Sequence, residues 1–363
     1  MSEQINTPKL RFPEFRDEWE SKEFKDIIKI NSGKDYKHLN IGKYPVYGTG
    51  GYMLSVSDYL YKNDAIGIGR KGTINKPYLL KGPFWTVDTL FYCTPLANND
   101  LSFLLNLFRK VNWKKYDEST GVPSLSKVTI SKIKCKVPTI SEQEKIGTFF
   151  SKLDRQIELE EEKLELLEQQ KRGYMQQIFS QKLRFKDENG NDYPDWEETT
   201  LKNITNYISS KKSSNQYNEN NNSEGYPVYD AIQEIGKDLQ YDMKEPYISI
   251  LKDGAGVGRL NLRAGKSSVI GTMGYIQANN VDIQFLYYRM KLLNFRKFII
   301  GSTIPHLYYK DYSKEKILIP TSNDEQKKIG HFILNIDKLI DNKTLKLDYL
   351  KQRKQGLLQR MFI

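Results

Sequence analysis

Cysteine is nearly absent from this 363-residue chain. Cys93 and Cys135 are the only two, too few for a disulfide framework or a four-thiolate zinc site, and a reducing cytoplasm is the expected compartment. Histidine is almost as scarce: His38, His306 and His331 lie far apart, so neither a metal centre nor a histidine-based nuclease is expected. No apolar run approaches the roughly 18 residues of a membrane-crossing helix, and the opening stretch MSEQINTPKL lacks the apolar core of a signal peptide. Neither membrane insertion nor export is therefore expected.

Nucleotide and methyl-donor motifs also fail on inspection. Gly67-Ile68-Gly69-Arg70-Lys71-Gly72 satisfies G-x-G-x-x-G, but that fingerprint needs a helix at once so that its N-terminus meets the pyrophosphate. Thr73-Ile74-Asn75-Lys76-Pro77 reads instead as turn or strand. Gly265-Lys266-Ser267 resembles the end of a P-loop, with Leu260 where the first glycine belongs. Asn75-Lys76-Pro77-Tyr78 approaches the Asn-Pro-Pro-aromatic tetrapeptide of amino-methyltransferases, with Lys76 in place of the first proline. Pro194-Asp195 has no nearby Asp/Glu-x-Lys partner of a metal-dependent nuclease. No catalytic constellation and no metal ligand set is expected.

What the chain does have is basic charge, unevenly placed. The net charge is +11, and residues 1–141 hold 22 basic against 14 acidic groups while 181–322 hold 19 against 17. The stretch 142–180 is acidic, 6 against 9. Excess positive charge on the globular parts points to a nucleic-acid partner for them rather than for that helix.

It also has a repeat. Reading from Ile146, alternate steps of four and three land on Phe150, Leu153, Ile157, Glu160, Leu164, Leu167, Lys171, Tyr174 and Ile178. From Ile329 the same steps give Ile333, Ile336, Ile340, Lys343, Leu347, Leu350, Lys354, Leu357 and Met361. Apolar residues every 3.5 positions over several heptads indicate a coiled coil, here two rods of about 58 Å each. If the rods lie antiparallel, their midpoints bring Glu160 and Lys343 within one helical turn, a polar pair suited to setting register. Gly173 and Gly356 recur at one place in both rods; glycine inside a helix costs about 1 kcal/mol relative to alanine, so close packing of a partner is the expected reason.

The duplication covers the globular parts too. Lys9-Leu10-Arg11-Phe12 and Trp19 return as Lys182-Leu183-Arg184-Phe185 and Trp196, and Tyr44-Pro45-Val46-Tyr47 returns as Tyr226-Pro227-Val228-Tyr229. The offset between copies grows by nine, and the polar run Asn215 to Ser223 reads as the inserted, exposed loop. Strands are expected over Ala65–Ile68, Phe84–Cys93, Tyr247–Leu251 and Ser267–Ile276. Helices are expected over Leu101–Trp113 and Ile283–Phe298 after N-capping Asp100 and Asp282, and Ser141 to Glu144 reads as a capping box opening the first rod. The expected plan is α+β with a helical spine: globular segments 1–141 and 181–322, rods 142–180 and 323–363.

Basic residues interleaved with aromatic and small polar ones in loops supply the candidate DNA contacts. In the first segment these are Lys34, Lys37, Arg70, Lys71, Lys114 and Lys115; in the second, Lys211, Lys212, Lys252, Arg259, Arg296, Lys297 and His306. A stand-alone nuclease or methyltransferase and a coiled-coil scaffold without DNA affinity are the competing readings.

Gly121, Pro123-Ser124-Leu125-Ser126-Lys127, Ile130, Ile133, Val137-Pro138, Glu142-Gln143-Glu144-Lys145-Ile146 and Leu153-Asp154 together resemble the specificity subunit of type I restriction–modification systems. The second half repeats the pattern with Pro305, Leu307, Ile317, Ile319-Pro320, Glu325-Gln326-Lys327-Lys328-Ile329 and Ile336-Asp337. Departures are His306 in place of Ser124 and no counterpart of Gly50-Gly51. The resemblance implies two target recognition domains, each reading half of a split site in double-stranded DNA, held apart by two helical spacer regions, in agreement with the intramolecular antiparallel coiled coil and pseudo-twofold symmetry expected from the seams and the repeat. It further implies that two modification (methyltransferase) subunits dock on the helices and that restriction subunits can join. S-adenosylmethionine, ATP and magnesium would then serve those partners, with no cofactor in this chain. Rods of this length can span half-sites one DNA turn, about 34–36 Å, apart.

Overall fold

The computed structural model describes residues 7–218 and 224–363. Contacts divide the chain into one unit of Met1–Lys163 with Thr344–Ile363 and another of Leu164–Lys343. Each is a mixed α+β assembly, and the second repeats the order of the first with a helical turn at Asn215–Asn218 and a short pairing of Ile299–Ile300 with His306–Leu307 added. Among the described residues no helix is long and apolar enough to cross a membrane.

In the first unit a four-stranded antiparallel sheet runs in the order Ile28–Ser32, Leu90–Pro95, Ala65–Gly69, Tyr78–Leu80. All five residues of Ala65–Gly69 are buried, which is why that strand reads as an unbroken small-apolar run rather than an alternating one. A smaller sheet joins Gly51–Val56, Ile41–Gly48 and Trp85–Thr86, the last pairing parallel. The second unit repeats both sheets: Thr205–Ser209, Met273–Ala278, Tyr247–Leu251, Leu260–Arg263, and Glu234–Asp238, Tyr226–Tyr229, Ser268–Val269. Val46 and Val228, the centres of the repeated Tyr-Pro-Val-Tyr, are fully buried.

Two expected strands each prove to be two. Trp85–Thr86 belongs to the small sheet and Leu90–Pro95 to the large one, with a turn closed by Leu90 N–H donating to the Val87 carbonyl at 3.0 Å. Ser268–Val269 and Met273–Ala278 divide in the same way. The expected helices also stop early, at Lys110 and Lys291, and resume as 3-10 turns over Trp113–Tyr116 and Phe295–Phe298. Asn112 and Asn294 stand at the breaks. The caps are as expected: the Asp100 side chain accepts from Phe103 N–H, and that of Asp282 from Gln284 and Phe285 N–H. The loop expected over 215–223 opens instead with a helical turn, Asn215–Asn218, because Tyr217 turns inward to a small core with Val228 and Tyr247. Residues 219–223 lie outside the described residues.

The two long helices are Ile140–Phe179 and Asn323–Met361. The capping-box reading of Ser141 is corrected, since the helix has already begun at Ile140 with the Thr139 carbonyl accepting from Glu142 and Gln143 N–H. Glu142 turns inward instead, 1% exposed, and takes both Arg11 Nε and Nη2 at 2.7 Å. Gln143 bridges the Asp100 N–H and the Pro138 carbonyl. The second unit repeats the joint with Glu325 on Arg184 at 3.1 and 2.9 Å, and Gln326 between Asp282 N–H and the Pro320 carbonyl. Thus the repeated Lys-Leu-Arg-Phe and Glu-Gln motifs lock a globule to the start of a rod.

In both units the helices run antiparallel. Asp154 pairs with Lys354 and Glu160 meets Lys346 at 2.9 Å, so one number falls as the other rises, and Glu161 reaches Lys351 at 2.7 Å within the same overlap. In the second unit Lys171 pairs with Asp337, and Tyr174 lies 5.2 Å from Phe332. Burial and the neighbouring Arg109 pull the Lys354 ammonium below its ordinary value. Glu160 falls in the first unit and Lys343 in the second. Seam residues Ile146, Phe150, Ile178, Ile333 and Leu350 are buried, whereas Tyr174 is partly exposed at the edge of the seam. Phe362 packs among Trp19, Phe103 and Phe150 in the first unit, as Phe179 does beside Trp196 and Phe285 in the second.

The glycines that pack tightly are not the two singled out above. A Cβ on Gly147 would lie 2.2 Å from Asp100 Oδ1 and 2.9 Å from Phe103 N, and one on Gly330 would lie 2.8 Å from Phe285 N, whereas a Cβ on Gly173 or Gly356 would meet nothing within 4 Å among the described residues outside its own helix backbone. Gly147→Ala is therefore expected to cost the first unit about 1–3 kcal/mol in denaturant unfolding. Gly173→Ala is expected to be neutral or to gain up to about 1 kcal/mol. Equal effects at the two positions would contradict this packing.

Candidate nucleic-acid interface

One end of the large sheet in the first unit gathers loops distant in sequence. Gly33 N–H donates to the Leu90 carbonyl, Lys34 N–H to Thr86, and Arg70 N–H to Thr89 at 2.8 Å. Leu125 N–H donates to the Arg70 carbonyl at 2.9 Å and Gly72 N–H to Pro123 at 2.8 Å. The glycine-rich run is thus a strand end paired with the Pro-Ser-Leu turn, with no helix after it. Asp117 secures that turn by accepting from Ser124 and Ser119 N–H, and these bonds hold its carboxyl below the ordinary range.

These loops bring Lys34, Arg70 and Lys71 to one edge, together with Lys127. Ser32, Arg70, Lys71, Phe91, Ser124 and Lys127 line a cleft of about 490 Å³ there. The Arg70 guanidinium and the Lys127 ammonium each lie 5.9 Å from the Phe91 ring. Among the described residues none of Arg70, Lys71 and Lys127 has a carboxylate partner, so their charge is available to an anion. Lys127 and Phe91 are not among the residues expected from the sequence; the Pro-Ser-Leu-Ser-Lys run placed Lys127 in the repeat, but only the fold sets it beside Arg70. Lys37 is exposed in the loop after Lys34, and Lys114 and Lys115 lie on the 3-10 turn just before Asp117, outside the cleft.

The same edge in the second unit is built alike and charged differently. Lys252 N–H donates to the Thr272 carbonyl, Gly254 N–H to Pro305, Leu307 N–H to Lys252, and Gly271 N–H to Lys212. This collects Lys211, Lys212, Lys252 and His306. Here the cations are met by carboxylates: Lys212 Nζ lies 2.6 Å from Asp238 and 3.6 Å from Asp242, and Lys252 Nζ lies 2.7 Å from Asp253. Lys211 stays exposed. Arg259 and Arg296 meet across a separate cleft of about 450 Å³ with Lys291, and Lys297 pairs with Glu315 at 2.6 Å.

The Lys212 bond, aided by Gln240 N–H and the Tyr217 hydroxyl, holds the Asp238 carboxyl at about 2 against an ordinary 3.8. A depressed carboxyl stabilises the fold above its unfolded pKa and loses that contribution as pH falls through the folded one. The stability difference between the native chain and Asp238→Asn is thus expected to shrink between about pH 4 and pH 2. Urea unfolding across that range, with a constant difference as the opposing result, checks it.

Comparison with known proteins follows the same duplication. A family model described as type I restriction modification DNA specificity domain matches residues 16–169 and again 193–352. A Methanocaldococcus jannaschii protein, the type I restriction enzyme MjaVIII specificity subunit, is 25% identical over 296 residues, covering 72% of this chain and 68% of that protein. A second protein of the same organism, named for a type I restriction enzyme MjaX specificity subunit, is 26% identical over 387 residues, covering 97% of this chain and 87% of that one. The crystal structure of the S subunit of a type I restriction–modification system from M. genitalium superposes with a TM-score of 0.76 at 19% identity, covering 98% of this chain and 99% of that one.

Proposed function

The chain belongs to the type I restriction modification DNA specificity family, and on that premise we propose how its two units divide the work. It is a sequence-specificity subunit with two recognition domains and no catalysis of its own; reaction chemistry sits in partner subunits. Each unit applies its loop-built sheet edge to double-stranded DNA, one half of a bipartite site apiece. The observation that carries this is the recurrence of one edge, built from the same backbone bonds, at Arg70–Leu125 and at Lys252–Leu307. The first edge, whose Arg70, Lys71 and Lys127 have no carboxylate partner among the described residues, grips phosphate. The second, internally neutralised, contributes less to affinity and more to discrimination.

Methyltransferase subunits bind the helices. Leu166 and Tyr349 occupy equivalent places in the two copies and are 56% and 63% exposed, each one heptad before an open-faced glycine, Gly173 or Gly356. A large apolar residue bare to water beside a glycine suits a partner's close approach. Two equivalent stripes suit two modification subunits, which bring S-adenosylmethionine; a restriction subunit brings ATP and magnesium. A cytoplasmic location follows from these partners.

Leu166→Glu with Tyr349→Glu is expected to abolish co-purification with the methyltransferase subunit while leaving DNA binding and the melting profile unchanged. Retained assembly would remove this surface from consideration. For the function itself, the test is whether the full chain, with its methyltransferase, modifies a split motif, and whether replacing residues 1–141 changes only one half of it.

A further inference from the structure

The second edge holds a group that the first lacks. Where the first unit has Lys71 and Ser124 facing each other across an isolated bridge, the second has Asp253 and His306. His306 Nδ1 lies 2.7 Å from Asp253 Oδ1, and the other carboxylate oxygen takes Lys252 Nζ at 2.7 Å. Both oxygens are therefore committed. The imidazole lies nearly parallel to the Tyr308 ring, 18° apart with centroids at 6.3 Å, and a Cβ on Gly301 would come 3.4 Å from its Cδ2. The ring is thus held by bond, stack and backbone. Its side chain is 37% exposed, and among the described residues Nε2 has no hydrogen-bond partner.

A carboxylate on a surface that meets DNA opposes phosphate, so Asp253 needs a reason to stand there. Holding an imidazole in one orientation supplies it, as carboxylates do for histidine ligands of metals. We propose that His306, positioned by Asp253, reads one base pair of the half-site recognised by the second unit, with Nε2 accepting from an exocyclic amino group of adenine or cytosine. This rests on the reading of the chain as a specificity subunit. Burial works to raise the Asp253 carboxyl, but its bonds to Lys252 and His306 outweigh that and keep it below the ordinary range. An ionised carboxylate only accepts, so Nδ1 carries a hydrogen towards Asp253, and a ring with that single hydrogen presents Nε2 as an acceptor. Those amino groups are the donors of the major-groove edge.

The experiment selects bound duplexes from a pool randomised in both half-sites, using the full chain at pH 8, as wild type, His306→Ala, His306→Phe and Asp253→Asn. Loss of one hydrogen bond predicts about a fivefold loss of discrimination at a single position of one half-site in both His306 variants, with the other half-site unchanged. Asp253→Asn, which can accept or donate, should alter the preferred base there rather than weaken all positions alike, the signature of a positioning residue. His306→Phe keeps the stack on Tyr308 and guards against a folding defect, and the melting profile of each variant is recorded. If wild type selects a split motif and the His306 variants keep it at every position, this inference is overturned alone. If wild type selects no motif, the reading beneath it falls.

Discussion

Arg11→Ala is expected to destabilise the first unit by about 3–5 kcal/mol, because it strands Glu142, which is 1% exposed, without its cation. The loss is more than that of a surface ion pair, whose worth is about 0–1 kcal/mol, since Arg11 Nε and Nη2 each donate to one oxygen of the buried carboxylate at 2.7 Å. Arg184→Ala should do the same to the second unit through Glu325, which is fully buried. Arg11→Ala with Glu142→Leu should recover much of the loss, as an apolar pair of similar volume replaces a desolvated ionic one. Denaturant unfolding followed separately in each unit checks the set. A loss below about 1 kcal/mol in both single variants would mean that the joint is not the anchor described.

The largest effect on binding is expected from Arg70→Ala, Lys71→Ala and Lys127→Ala combined. Each phosphate contact contributes about 0.9 to the slope of log affinity against log salt, so removing three lowers the slope by roughly 2.7 if all three touch backbone. Lys212→Ala with Lys252→Ala should move the slope much less, because those ammoniums already face Asp238 and Asp253. Affinity of the full chain for a duplex carrying its site, titrated from low to moderate salt, separates the two. Equal slopes for both variants would contradict the division of charge between the edges. The two net balances, 22 basic against 14 acidic residues in 1–141 and 19 against 17 in 181–322, already lean this way, but they do not say which cations are paired.

What the chain could disclose unaided was whatever depends on local order. The heptad seams, the Asp100 and Asp282 caps and the matched motifs of the two halves are periodic or adjacent, so they are written directly in residue order. Tertiary packing decided the rest. Arg11 and Glu142 are 131 positions apart, and nothing in Ser141-Glu142-Gln143-Glu144 says that its first carboxylate will be buried rather than cap a helix. Gly147 and Gly330 look like ordinary helix glycines until Asp100 and Asp282 are brought against them. The same holds at the edges: Lys71 and Asp253 occupy one place in the repeat, yet only the bridge to Ser124 or His306 gives one a free charge and the other a histidine to hold. Charge is a property of the residue, but its availability depends on which residue the fold sets within hydrogen-bond reach.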